Sequence, residues 1–277
     1  MDNWDDLKFL LAVSKAGSMS GAARQLGTNV ATVSRRMERL ADLLGTEPFQ
    51  RTPRGWETNP LVKGLIEVAE TFEGHIDKEL NHVSTTSDDR HPVRIGAPPI
   101  VSSQVLFPAL LGTEGRMKSI SPEFTDRLTP GGLGDHDIII QDRLPDGGRL
   151  LSRKLGAMVF RVYAPPEYTS GAWVALSEAT GYTQPNELGR KVMGIEPVAT
   201  ASTFMQMFEL AQQNRIAAVL PDLLARKYNS LSPLGGSEDC ISYDLFVLYH
   251  ETRKGDPVIE ATLDWINYAF LKAKGHA

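Results

Sequence analysis

These 277 residues predict a multidomain α/β chain: short helices first, then one long helix, then strands alternating with helices. Three patterns carry that expectation. Helical periodicity broken by single glycines fills the first 45 residues. An apolar stripe at three- and four-residue spacing runs from Val62 to Val83, and apolar runs of strand type alternate with helical patterns from Val93 onward. The expected division is a helical domain with a wing over 1–59, a long helix over 60–84, a hinge over 85–92 and an α/β region over 93–277.

In the first segment Asp2 or Asn3 caps a helix whose apolar face holds Trp4, Leu7, Leu10 and Leu11, and Gly17 ends it. Ser18 caps a second helix, Met19 to Leu26, with Ala22 and Ala23 small enough for close packing and Gly27 as the stop. Thr28-Asn29 opens a third helix. On it Val33, Met37, Leu40 and Leu44 form one stripe, while Thr28, Ala31, Thr32, Ser34, Arg35 and Arg39 point away. Pro48 to Thr58 reads as two extended pieces around a Pro/Gly turn, a small hairpin carrying Arg51 and Arg54.

Pro60 suits the first turn of the long helix, where Val62, Ile66, Ala69, Phe72, Ile76, Leu80 and Val83 require a partner surface. The polar run Thr85 to His91 before Pro92 has the composition of a hinge. Beyond it Val93–Gly96, Asp137–Ile140, Met158–Tyr163, Ile216–Leu220 and Leu245–Tyr249 read as strands, and 102–111, 203–214, 221–231 and 257–274 as helices.

Composition is that of an ordinary globular protein, 42 % hydrophobic and 23 % charged. The net charge of -5 argues against a protein that merely coats nucleic acid, yet residues 1–63 hold nine basic against seven acidic side chains, so the remainder carries the acidic excess. The single cysteine, Cys240, cannot form an intramolecular disulfide, no Cys/His spacing suits a metal, and no apolar run spans a bilayer. A soluble cytoplasmic protein without a membrane partner, cofactor or metal is expected.

A helix-turn-helix over 19–40 has a physical rationale, because a DNA major groove admits one helix held by a buried stripe with short polar residues and arginines opposite. Thr32, Ser34 and Arg35 are placed for base edges, and Arg36, Arg51 and Arg54 for phosphates. Arg39, the cap Ser18 and the opening turn Asn29, Val30 and Ala31 complete the candidate DNA-facing set. A solvated face with no partner explains the arginines singly; turn, stripe and wing together favour DNA.

The residue order from Trp4 to Val13, Gly17 to Gly27, Val33 to Leu40 and Leu44 to Thr52 resembles the LysR-type transcriptional regulators. Further on, Val93 to Pro99, His136 to Ile140 and Ala218 to Pro221 resemble strands of that family's effector domain. The resemblance implies a winged helix-turn-helix, a linker helix that pairs subunits in a coiled coil, and two α/β lobes similar to periplasmic solute-binding proteins. It also implies a homodimer or homotetramer on double-stranded promoter DNA, responding to a small molecule between the lobes. This chain departs from the pattern at Pro130-Gly131-Gly132 and Gly134, which oppose a helix, and in a short stretch from Tyr168 to Val198.

Open α/β sheets place ligands beyond the carboxyl ends of strands and near helix N-termini. Ser102 and Ser103 after the first strand, Thr200 and Ser202 before a helix, and Gln141 ending another strand are therefore candidates for a carboxylate-type effector. Helix capping explains the hydroxyls individually. No nucleophile elbow, phosphate-binding loop or dinucleotide fingerprint is present, so no catalytic residue is assigned. A ligand-binding α/β module with vestigial DNA contact is the alternative reading.

Overall fold

The computed structural model describes residues 5–52, 55–84, 90–111, 119–127, 131–145, 149–228 and 230–274. The capping role of Asp2 or Asn3, the contact of Trp4, Arg54, hinge positions 85–89 and Pro130 lie outside them. Two compact units are formed, Met1–Ser87 with Thr252–Pro257, and Asp88–Glu251 with Val258–Ala277.

The first unit opens with α1 (Asp5–Ala16), α2 (Met19–Gln25) and α3 (Val30–Leu44). Leu10, Val13, Ala22, Val33 and Leu40 are withdrawn from solvent together, which fixes α3 by its apolar stripe. Glycine ends α1 and α3: Gly17 has φ +61° and Gly45 φ +67°, backbone that a side chain resists. The hairpin of β1 (Phe49–Thr52) and β2 (Gly55–Thr58) is antiparallel, with Arg51 opposite Trp56. Its buried anchor is Phe49.

Asn59 ties the two flanks of this hairpin together. Its amide donates to Thr46 Oγ1 at 3.0 Å and to the Glu47 carbonyl at 2.9 Å, while its Oδ1 accepts from the Leu61 N–H at 3.0 Å. A short turn with Pro60 in its first position then leads into α4 (Lys63–Ser84). The apolar stripe divides along its length: Val62, Ile66 and Ala69 are buried against the helical domain, whereas Phe72, Ile76, Leu80 and Val83 are exposed, as is Val68 outside the stripe. Residues Thr252–Pro257 also belong to this unit; Lys78 donates to the Lys254 carbonyl and Asn81 to the buried Asp256.

The second unit is built on one twisted sheet. Its order is β4-β3-β5-β11-β6-β9-β7-β8, with β10 (Ser232–Leu234) beside β6. β3 (His91–Ala97) runs parallel to β4 (Ile120–Asp126) and β5 (Ile138–Gln141), and β7 (Trp173–Leu176) runs parallel to β8 (Ala199–Ala201) and β9 (Ala217–Pro221). Between these groups lie two long antiparallel strands, β6 (Leu150–Ala164) and β11 (Cys240–His250), whose register shifts between Leu245 and Phe246. They pass from one lobe to the other.

Helices α6 (Gln184–Met193), α7 (Phe204–Asn214) and α8 (Asp222–Tyr228) belong to the second lobe. The terminal helix α9 (Pro257–Lys274) returns to the first, where the Trp265 indole donates to the Ala109 carbonyl at 3.1 Å. The helix read over 102–111 instead forms three consecutive turns from Pro99 to Ala109: α5 (Pro99–Val101), a wide turn over Ser102–Leu106 and a tight turn over Phe107–Ala109. Pro108 has no N–H to donate and crowds the preceding turn, which accounts for the irregularity.

Sequence patterning missed β4, β7, β8, β10 and α6. β4 is an edge strand with only Ile120 buried, and it carries Pro122, which an edge tolerates because one side of its backbone needs no ladder partner. Between β4 and β5 no described residue is helical, in keeping with the glycines there. No helix among the described residues is long and apolar enough to cross a membrane.

Candidate functional site

Two places hold the candidate residues, one in each unit. In the first, α3 begins at an N-cap whose side chain is already engaged: Asn29 Oδ1 accepts from the Thr32 N–H at 2.8 Å. Ser18 caps α2 in the same way, accepting from the Gly21 N–H at 3.0 Å. These bonds satisfy backbone donors that the first turn leaves open. Val30, Ala31 and Arg35 are exposed, and Thr32 and Ser34 half-buried; the Ser34 hydroxyl donates to Glu38 Oε1 at 3.0 Å.

The arginines on this helix divide into two kinds. Arg36 donates through Nη1 to Asp6 Oδ1 at 2.9 Å and lies over the Phe9 ring, while Arg39 grips Asp6 Oδ2 with Nε at 3.0 Å and with Nη2. Asp6 is 4 % exposed, and both guanidinium groups compensate its carboxylate. Arg35 and Arg51 are exposed and have no ion pair among the described residues. Among the described residues of α3 and the hairpin, Arg35 and Arg51 carry cationic charge outside any ion pair, whereas Arg36 and Arg39 also anchor α3 to α1.

In the second unit a cavity of about 320 Å³ opens where the crossing strands meet the two lobes. Ser102 and Ser103 line it from the first lobe and Ser202 from the second. Gln141 does not: its Oε1 accepts from the Gly131 N–H at 3.0 Å and its amide donates to the Arg143 carbonyl at 2.6 Å, tethering loops. Thr200 is exposed on β8, away from the lining.

Residues that the sequence did not single out supply most of the wall. Met158 and Phe160 come from β6, Tyr243 and Leu245 from β11, Tyr182 from the turn before α6, and Arg127 and Asp142 from the carboxyl ends of β4 and β5. The strand-end rule pointed to Gln141, one residue short of Asp142. The aromatic residues gave no such signal, since they read as core. Burial, with Asp142 adding to it, pushes the Tyr243 hydroxyl up to about 12 and the Tyr182 hydroxyl higher still, so both remain protonated donors. Burial lowers the Arg127 guanidinium, opposed by Asp135.

This arrangement suits reversible binding: an apolar wall with a few polar groups is the usual build of a ligand pocket. Among the described residues no three His, Cys, Asp or Glu side chains cluster to hold a metal.

Comparison with known proteins bears on the family and the fold. Residues 4–61 match the model of the bacterial regulatory helix-turn-helix protein, lysR family, and residues 86–270 match the LysR substrate binding domain. The Mau operon transcriptional activator of Paracoccus denitrificans is 25 % identical over 241 residues, 80 % of this chain and 81 % of that protein. Among solved structures, ArgP from Mycobacterium tuberculosis superposes with a TM-score of 0.67 at 16 % identity, covering 98 % of each chain. CrgA from Neisseria meningitidis, a LysR-type regulator, superposes with a TM-score of 0.55 at 20 % identity over 98 % of this chain and 99 % of that one. These likenesses support the fold, and the second family model alone spans well over half of the residues. The chain belongs to the LysR family of transcriptional regulators, DNA-binding proteins in which a helix-turn-helix precedes an effector-binding domain.

Proposed function

We propose that the protein is a cytoplasmic, non-enzymatic regulator in which residues 1–59 contact double-stranded promoter DNA, 60–84 pair two subunits, 85–92 act as a hinge and 93–277 bind a small effector. The observation that carries the DNA reading is the exposed face of α3, where Arg35 stands clear of the ion pairs that hold Arg36 and Arg39. Thr32, Ser34 and Arg35 read base edges, Asn29, Val30 and Ala31 flank them, and Ser18 and Arg54 with Arg36, Arg39 and Arg51 meet the backbone. The exposed Val68 and Ile76 on α4 support a homodimer, which two-fold DNA sites require, or a tetramer of such dimers.

The effector is of carboxylate type. Support comes from the Arg127 guanidinium and the Ser102 hydroxyl, both at the cavity wall, with Ser103 and Ser202 beside it. Thr200 and Gln141 have no part in this contact. The test is fluorescence anisotropy of the full-length protein on a duplex from upstream of its own gene, against scrambled competitor and over a salt series. Binding that resists the competitor is expected; equal affinity for both duplexes, repeated with genome-selected fragments, would overturn the reading.

A further inference from the structure

The cavity's polar groups are unevenly satisfied. On one side four rings stand in a row: Phe204 to Phe160 at 5.1 Å between centroids, Phe160 to Tyr243 at 5.5 Å, and Tyr243 to Tyr182 at 5.9 Å. At the end of this row the Tyr182 hydroxyl donates to Asp142 Oδ1 at 3.1 Å. The other carboxylate oxygen, Oδ2, is buried without a hydrogen-bond partner among the described residues, in a side chain only 4 % exposed. Arg143 Nε lies 3.8 Å from it, outside hydrogen-bond range, on a side chain 59 % exposed.

Two donors of the same cavity are open as well. Arg127 Nε and Ser102 Oγ are buried and have no partner among the described residues. Buried polar groups are almost always paired, so one open acceptor and two open donors around one apolar space are a demand on whatever fills it. A simple carboxylate answers only the donors. It would leave Asp142 Oδ2 without a hydrogen-bond donor, balanced only by the solvent-facing Arg143 guanidinium 3.8 Å away, on a wall that holds the carboxylates of Asp126 and Asp142 beside Arg127.

We propose that the ligand is amphoteric: a cationic nitrogen held by Asp142 Oδ2, a carboxylate held by Arg127 Nε–H and the Ser102 hydroxyl, and an apolar or aromatic body along Phe160, Phe204 and Met158. An apolar α-amino acid has this charge distribution. The ring row suits the cationic end, because aromatic faces attract a nearby ammonium, and about 320 Å³ is at the small end of ligand pockets. This inference rests on the effector reading above and narrows its ligand class.

The test is calorimetry and thermal melting of the full-length protein with matched probe sets. The sets are L-phenylalanine, 3-phenylpropionate and 2-phenylethylamine; L-tryptophan, indole-3-propionate and tryptamine; and L-leucine, 4-methylpentanoate and isopentylamine. In at least one set the amino acid is expected to bind on the order of 10-fold tighter than either truncated partner, as charge-assisted hydrogen bonds require. Asp142→Asn is expected to erase the advantage over the deaminated acid, and Arg127→Gln the advantage over the amine. An acid or amine that equals its amino acid in every set that binds overturns the amphoteric ligand while leaving an effector cavity in place. Absence of binding by all nine probes, with specific DNA binding intact, overturns the amphoteric ligand and tells against the carboxylate effector as well. The probe comparison uses the parent chain, so it stands even where a variant misfolds.

Discussion

Arg36 reaches from α3 to the first turn of α1 and donates to Asp6 Oδ1 at 2.9 Å, beneath a helix face otherwise open to solvent. Arg39 shares the same carboxylate, so a single buried acid fixes the angle at which α3 is presented. Asp6→Asn removes that charge and strands two guanidinium groups. A loss of about 1.5–3 kcal/mol in urea unfolding is expected, since hydrogen bonds to charged groups are worth that much. An unchanged midpoint would show that the pair does not hold the helix.

The DNA contacts separate by kind. Arg35→Ala is expected to cost about 1–3 kcal/mol at a specific site and little on random sequence, as the loss of a base contact does. Arg51→Ala, in the hairpin, weakens both duplexes alike and reduces the salt slope by about 1, as the loss of a phosphate contact does. Anisotropy titrations at three or more salt concentrations distinguish them; interchanged behaviour would reverse the assignment.

In the second lobe Asn186 acts as a substitute strand for the end of β7. Its Oδ1 accepts from the Leu176 N–H at 2.9 Å and its amide donates to the Leu176 carbonyl at 2.7 Å, with the side chain buried. Asn186→Leu orphans both backbone groups at about 1–3 kcal/mol each. Because Leu176 lines the cavity, ligand-induced thermal shifts should shrink along with stability. A variant as stable as the parent would refute this role.

Burial raises the Glu70 carboxyl on α4 above the ordinary carboxylate range, opposed by Lys15 and aided by Glu73 and Glu67. A raised pKa means that the folded state holds the proton more tightly than the unfolded chain. That stabilisation is complete below the unfolded value of about 4.3 and is lost as pH rises through the folded value. Glu70→Gln should therefore raise Tm at pH 7 relative to the parent and lose that advantage near pH 4. A lower Tm at pH 7 would mean that the attraction of Lys15 outweighs burial.

What the sequence determined by itself was local. Gly17 and Gly45, the caps Ser18 and Asn29 and the Val33–Met37–Leu40 stripe act within a few residues of one another, so α2 and α3 and the side of α3 facing outward were legible before any fold was known. Ser102, Ser103 and Ser202 were reachable by the strand-end rule, which depends on topology alone. Tertiary structure decided the rest. Asp6 lies thirty residues from Arg36 and could be recognised as its partner only once α1 crossed α3. Asp142, Tyr182 and Tyr243 converge because β6 and β11 traverse both lobes, and a buried tyrosine in sequence is indistinguishable from core until its hydroxyl has a neighbour. Long-range pairing sets which polar groups are left open, and with them the chemistry of the cavity.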